Sequence, residues 1–100
     1  MKKLVIDIQP SLIALPFHRL FTTPLVDIDG AETPAAWGTT ELAVDTGPHQ
    51  IRVYFRYRGQ RNARLGEGRL EFSVAGTAPE TRLKATLGVR NGSSFRITTV

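Results

Sequence analysis

An all-β fold, specifically an antiparallel Greek-key β-sandwich of about seven or eight short strands, is what this sequence predicts. Apolar residues recur at every second position through most of the chain, turn residues punctuate it at spacings of roughly 8 to 12 residues, and no helical period is sustained. A pleated strand sends successive side chains to opposite faces, so each such segment offers one apolar row. Two opposed sheets bury those rows against each other.

The elements follow in order. Leu4, Ile6 and Ile8 alternate with Val5, Asp7 and Gln9, which makes a first strand from Lys2 to Gln9 that Pro10 ends. Ile13, Leu15, Phe17, Arg19 and Phe21 read as a second extended run, with Pro16 suited to an edge or a bulge. A short helix over Pro10 to Leu20 competes with that strand, since Ser11 can cap it and Leu12, Leu15 and Leu20 share a loosely helical face. Both readings stay open.

Leu25 to Gly30 is a short strand closed by a turn, because Asp29-Gly30 supplies a residue that tolerates positive φ. Ala31 to Gly38 reads as a loop holding Pro34 and the single tryptophan, Trp37, which is placed to cover an open end of the core. Thr39 to Asp45 alternates again, and Thr46-Gly47-Pro48 turns the chain into the strand that begins at His49 and Gln50. There Ile51, Val53, Phe55 and Tyr57 point one way, and Arg52, Tyr54, Arg56 and Arg58 the other. Later strands are expected at Arg69 to Ala75, Arg82 to Val89 and Ser94 to Thr99, the last two joined by the hairpin signal Asn91-Gly92.

One hundred residues make a single domain spanning 1–100, of a size that one core can stabilise. With 41% hydrophobic and 22% charged residues the composition is that of a globular chain. No cysteine is present, which removes disulfides, thiolate metal sites and thiol nucleophiles. The opening Met1-Lys2-Lys3 imitates a secretory signal, but Asp7, Gln9 and Pro10 interrupt the apolar run that such a signal needs, so the cytoplasm is the expected location. No apolar run approaches the roughly 18 residues of a membrane span.

The formal charge is +4, and between Arg52 and Arg69 six arginines stand against Glu67 alone. That asymmetry bears on anionic partners and on solubility.

Val26-Asp27-Ile28-Asp29-Gly30, Thr33-Pro34, Trp37-Gly38 and Gly47-Pro48-His49-Gln50-Ile51-Arg52-Val53 together resemble a PEGA-type module over about thirty residues. In that family a Val-x-Val-Asp-Gly strand and turn precedes a Pro-Gly turn and a His-x-Val-x-Val strand. Here the Pro-Gly order is reversed and the namesake tetrapeptide is absent. The resemblance implies a small Greek-key sandwich that works as a binding or spacer module without enzymatic activity.

The chemistry-bearing residues point the same way. Asp27, Asp29 and Gly30 resemble the start of a calcium loop, yet Ala31 and Glu32 stand where further ligand positions are needed, so the carboxylates read as turn residues serving backbone amides. His18 and His49 lie in no ligand or triad spacing, and no serine sits in a nucleophile elbow. Gly59, Gly66 and Gly68 surround Arg61, Asn62 and Arg64 without a Gly-Lys-Ser or Gly-Lys-Thr ending, which reads as a solvated hairpin tip rather than a phosphate loop. No catalytic residue, metal or cofactor is expected.

What remains is a binding surface of Arg52, Tyr54, Arg56, Arg58, Arg61, Arg64 and Arg69. The expected function is a non-enzymatic protein-interaction or assembly module that meets a protein partner or its own copy through this surface. An anion or nucleic-acid binder using the same cations and aromatic is the alternative. Val5, Leu20, Leu25 and Val100 lie off the inward rows and, if clustered with Trp37, form a second, apolar contact.

Overall fold

The structure, a computed structural model, describes residues 2–10, 21–87 and 94–100. They hold β1 (Lys2–Gln9), β2 (Thr22–Ile28), β3 (Ala31–Pro34), β4 (Gly38–Val44), β5 (Gly47–Tyr57), β6 (Leu65–Val74), β7 (Glu80–Leu87) and β8 (Phe95–Thr99). The strands form two four-stranded sheets, ordered β4-β1-β7-β8 and β3-β2-β5-β6, packed face to face as the alternation predicts. The chain crosses between the sheets repeatedly, so β2 neighbours β5 and β1 lies between β4 and β7.

Period-two rows meet in the middle. Leu4, Ile6 and Ile8 of β1, Leu83, Ala85 and Leu87 of β7, and Phe95 and Ile97 of β8 share one core with Val26 of β2, Ile51 and Val53 of β5, and Phe72 and Val74 of β6. Each buried Val, Leu, Ile or Phe of this kind is worth about 1.5–3 kcal/mol relative to exposure. Trp37 closes one end of the core, as expected, with its ring stacked on Phe95 at 6.0 Å and tilted against Phe55 at 6.3 Å.

One pairing departs from the antiparallel expectation: β1 runs parallel to β7, from Lys3 opposite Glu80 to Gln9 opposite Thr86. A parallel pair needs a long crossover, and the five intervening strands provide it. Ala31 to Pro34, read from the sequence as loop, is instead the short edge strand β3. Asp29 at φ 53 and Gly30 at φ 93 make the two-residue turn that folds it back on β2. Positive φ at both central residues is the type I′ geometry that matches strand twist.

β6 starts at Leu65, four positions before the strand expected at Arg69, and so takes in Gly66 and Gly68. Gly68 lies opposite Val53 in the last pair before the register slips, a bulge between Val53 and Phe55. Gly68 faces β8: a Cβ there would lie 2.0 Å from the carbonyl oxygen of Phe95. The two sheets approach so closely at that point that only glycine fits.

Val5 and Leu25, expected to be exposed, are buried at 5% and 4% exposure. Val5 lies mid-sheet between Glu41 and Arg82, and Leu25 between Tyr54 and Pro34, so neighbouring stems and rings flank them. Val100 is exposed, and Leu20 lies outside the described residues, as do His18, the strand or helix expected before Leu20 and the Asn91-Gly92 turn. The apolar contact patch built on Val5 and Leu25 is therefore not there. Among the described residues, the large exposed apolar side chains are Phe21, Tyr57 and Val100.

Candidate functional site

The outward row of β5 is where the sequence placed a cationic display, and pairing brings that row its own counter-charges. Antiparallel register sets Asp27 of β2 opposite Arg52, and Glu32 of β3 opposite Asp27. Tyr54 lies at the centre, fully buried although its side chain belongs to the outer face. The Arg64 guanidinium sits 4.5 Å above its ring and that of Arg56 lies 5.8 Å away, both within cation–π reach.

Three guanidinium groups meet three carboxylates around that ring. Arg64 binds Asp27 at 3.1 Å and Glu67 at 2.8 Å, Arg56 binds Glu32 at 3.0 Å, and Arg52 lies 3.9 Å from Glu67. The Tyr54 hydroxyl donates to Glu32. Burial, and then this bond to a carboxylate, push the Tyr54 hydroxyl up to about 12. The same bond, ahead of the Arg56 contact, holds Glu32 below the usual carboxylate range. Glu67 and Asp27 keep Arg64 protonated more firmly than an isolated guanidinium. Exposed ion pairs contribute little, but Asp27 is buried and needs its partner.

Toward the hairpin end the arrangement changes. Arg56 donates from Nε to the Ala63 carbonyl at 3.2 Å and from its terminal nitrogen to the Arg61 carbonyl, while Tyr57 and Gln60 close the turn with bonds of 2.8 and 3.1 Å. This scaffold holds the loop between β5 and β6, and Arg58 and Arg61 project from it, both exposed. Neither guanidinium, nor that of exposed Arg69 on β6, makes an ion pair among the described residues. Phe21 and Tyr57, 52% and 41% exposed, lie alongside: Thr22 is opposite Tyr57, and the Arg58 amide donates to the Phe21 carbonyl.

The seven residues expected to bind thus separate into two groups. Arg52, Tyr54, Arg56 and Arg64 are tied into the fold, and Arg58, Arg61 and Arg69 are presented to solvent. The sequence reading missed Asp27 and Glu32 as counter-charges because they lie more than twenty positions from the arginines they neutralise, and only strand pairing brings them near.

The remaining polar cluster is structural. Asp27 accepts the Gly30 amide at 2.8 Å, which closes its own turn, and Asp29 accepts the Gln50 amide at 2.8 Å. Asp29 lies past the end of β2 in the left-handed region, so its carboxylate swings away from that of Asp27 and onto His49, 2.5 Å from Nδ1. The other ring nitrogen, Nε2, is 2.6 Å from the Asp45 carbonyl, and the ring packs on Phe72 at 5.7 Å. Two acceptors on two ring nitrogens favour the imidazolium. The Asp29 carboxylate first, then the Asp45 carbonyl, raise His49 above its ordinary value. Asp29 is held below its own, chiefly by the Gln50 amide and then by His49. An open depression of about 500 Å³ beside His49 is also lined by Glu71, Phe72 and Ser73.

Fold and site together define a β-sandwich module with a cationic, aromatic-flanked hairpin end. No family model, curated protein or solved structure matches the chain.

Proposed function

We propose that the protein is a non-enzymatic interaction module that holds an acidic protein partner on the loop end of the β5–β6 hairpin and the outer surface of β6. One observation carries the reading: Arg58, Arg61 and Arg69 are exposed with no carboxylate partner among the described residues, beside neighbouring arginines that are neutralised internally. Unneutralised guanidinium groups next to exposed rings speed encounter with a negative partner and select for it. A module of binding or spacer type, as the PEGA-like turns imply, fits the same reading. His49 supports the absence of catalysis, since both of its ring nitrogens already face acceptors and a general base needs one free.

The test is capture from lysate after nuclease treatment, with the bound proteins identified by mass spectrometry. The charge-reversed chain R58E/R61E/R69E loses an acidic partner that the native chain retains; unchanged capture refutes the surface. A second reading, single-stranded nucleic acid on the same residues, draws on Phe21 and Tyr57 as stacking rings beside Arg58. It predicts nuclease-sensitive binding whose affinity falls steeply with salt, because phosphate neutralisation releases counterions.

A further inference from the structure

We infer that the groove between the start of β2 and the β3–β4 connection is the specificity pocket of this contact, taking an apolar side chain of an acidic peptide while Arg58 holds the carboxylate beside it. The inference rests on the interaction reading above and adds the kind of ligand. The groove has a volume of about 430 Å³ and runs where β3 has ended but β2 continues. β2 pairs with β5 from Thr22 to Ile28, but with β3 only from Leu25 onward. β3 stops at Pro34, and the chain turns across to the other sheet through Ala35, Ala36 and Trp37. The half-buried Ala35 and Trp37 and the exposed Ala36 supply its apolar side above the buried Pro24, Thr22 and Thr23 line the β2 side, and Arg58 stands on the rim.

The chemistry selects among ligands. Backbone augmentation is disfavoured, because the Thr22 carbonyl already accepts from Trp37 Nε1 at 3.4 Å and the Pro24 carbonyl from the Ala35 amide at 3.0 Å. Recognition therefore falls to side chains. Nucleobase stacking is disfavoured too: the Trp37 ring is committed to Phe95 and Phe55, and a single guanidinium lines the groove where a phosphate chain calls for a track of cations. A groove of mixed lining, with Ala35, Ala36 and Trp37 on one side, Thr22 and Thr23 on the other and one cation at its mouth, suits an aliphatic side chain adjacent to Asp or Glu. The net charge of +4 and the lack of an ion pair for Arg58 among the described residues favour the acidic neighbour.

Trp37 is the only tryptophan and lies in the groove wall, so its fluorescence reads occupancy directly. The full chain is titrated with a capped nine-residue peptide of alternating leucine and glutamate, with its leucine–glutamine counterpart, and with oligothymidine. The expected result is a saturable response to the glutamate peptide. It weakens roughly tenfold or more with the glutamine peptide or in R58A, the size expected for one charge-assisted bond. It disappears in A36F, which fills the groove mouth, and persists in R96A, which removes an exposed cation on the other sheet. Unchanged urea midpoints establish that R58A and A36F are folded; where A36F is not, the R58A and glutamine arms decide.

No saturable response, equal affinity for the two peptides, or a response to oligothymidine alone overturns the assignment. Capture that is lost in R58E/R61E/R69E while Trp37 stays silent condemns the groove alone. Capture that survives those reversals condemns the interaction reading beneath it.

Discussion

Replacing Gly68 with alanine tests the closest approach of the two sheets. The added Cβ falls 2.0 Å from the Phe95 carbonyl oxygen, 2.8 Å from its carbonyl carbon and 3.1 Å from its Cβ. Two of the three atoms are backbone, so no rotamer change relieves the clash, and β6 and β8 must separate by about 1 Å or more to restore ordinary contact. A gap of that size forfeits roughly a quarter to a half of the dispersion energy of the atoms lining it. Phe95, buried at 4% exposure against Trp37 and Phe55, is among the side chains that lose it. Overpacking costs about 1–3 kcal/mol and sometimes more, and a backbone clash belongs at the upper end, so the expected loss is about 3 kcal/mol. In a domain this size that lowers Tm by about 12 °C or more. Urea and thermal unfolding followed by Trp37 fluorescence measure it, the ring being stacked on the displaced residue. Gly76→Ala is the control: its Cβ meets only Thr46 Cγ2 at 3.7 Å, and its stability should stay within about 0.5 kcal/mol of native. A Gly68→Ala protein within about 1 kcal/mol of native refutes the packing argument.

Tyr54→Phe keeps the ring and deletes the hydroxyl that binds Glu32; urea unfolding should show a loss of about 1–2 kcal/mol, and no loss means the bond does not hold the network. Arg56→Glu should destabilise by about 2 kcal/mol or more, since it sets a carboxylate beside Glu32 and frees the hairpin loop. Arg58→Glu, by contrast, should stay within about 0.5 kcal/mol of native; equal losses at the two positions contradict the division between structural and presented arginines. The His49–Asp29 contact sets a pH profile. His49 is raised when folded, so its contribution is full below its ordinary value of 6.5 and is lost as pH rises through the raised one. Asp29 is lowered, so its contribution is full above its ordinary value of 3.8 and is lost as pH falls through the lowered one. Urea midpoints should therefore be highest between those values, and His49→Gln should flatten the alkaline limb; an unchanged limb removes His49 as its cause.

Most of the fold was legible because strand alternation depends only on local geometry. Leu4, Ile6 and Ile8, Ile51 and Val53, and Leu83, Ala85 and Leu87 sit on the faces that their spacing predicts, and Asp29-Gly30 makes the turn that its residue types favour. The parallel pairing of β1 with β7 was not legible, since inward and outward residues alternate alike in parallel and antiparallel strands. Nor was β3, whose four exposed residues carry no apolar row to announce it.

The arginine row shows the same boundary more sharply. Alternation by itself determined that Arg52, Tyr54, Arg56 and Arg58 leave the core on one side of a strand, and the chain's composition determined that the segment is cationic. Only tertiary structure decided which of those charges remain available. Hydrogen bonds need contact and ion pairs are strong only at short separation, and Asp27 and Glu32 come that near to Arg64, Arg56 and Tyr54 solely because β2 and β3 lie beside β5 in one register. A shift of one residue in that pairing turns those carboxylates to the opposite face.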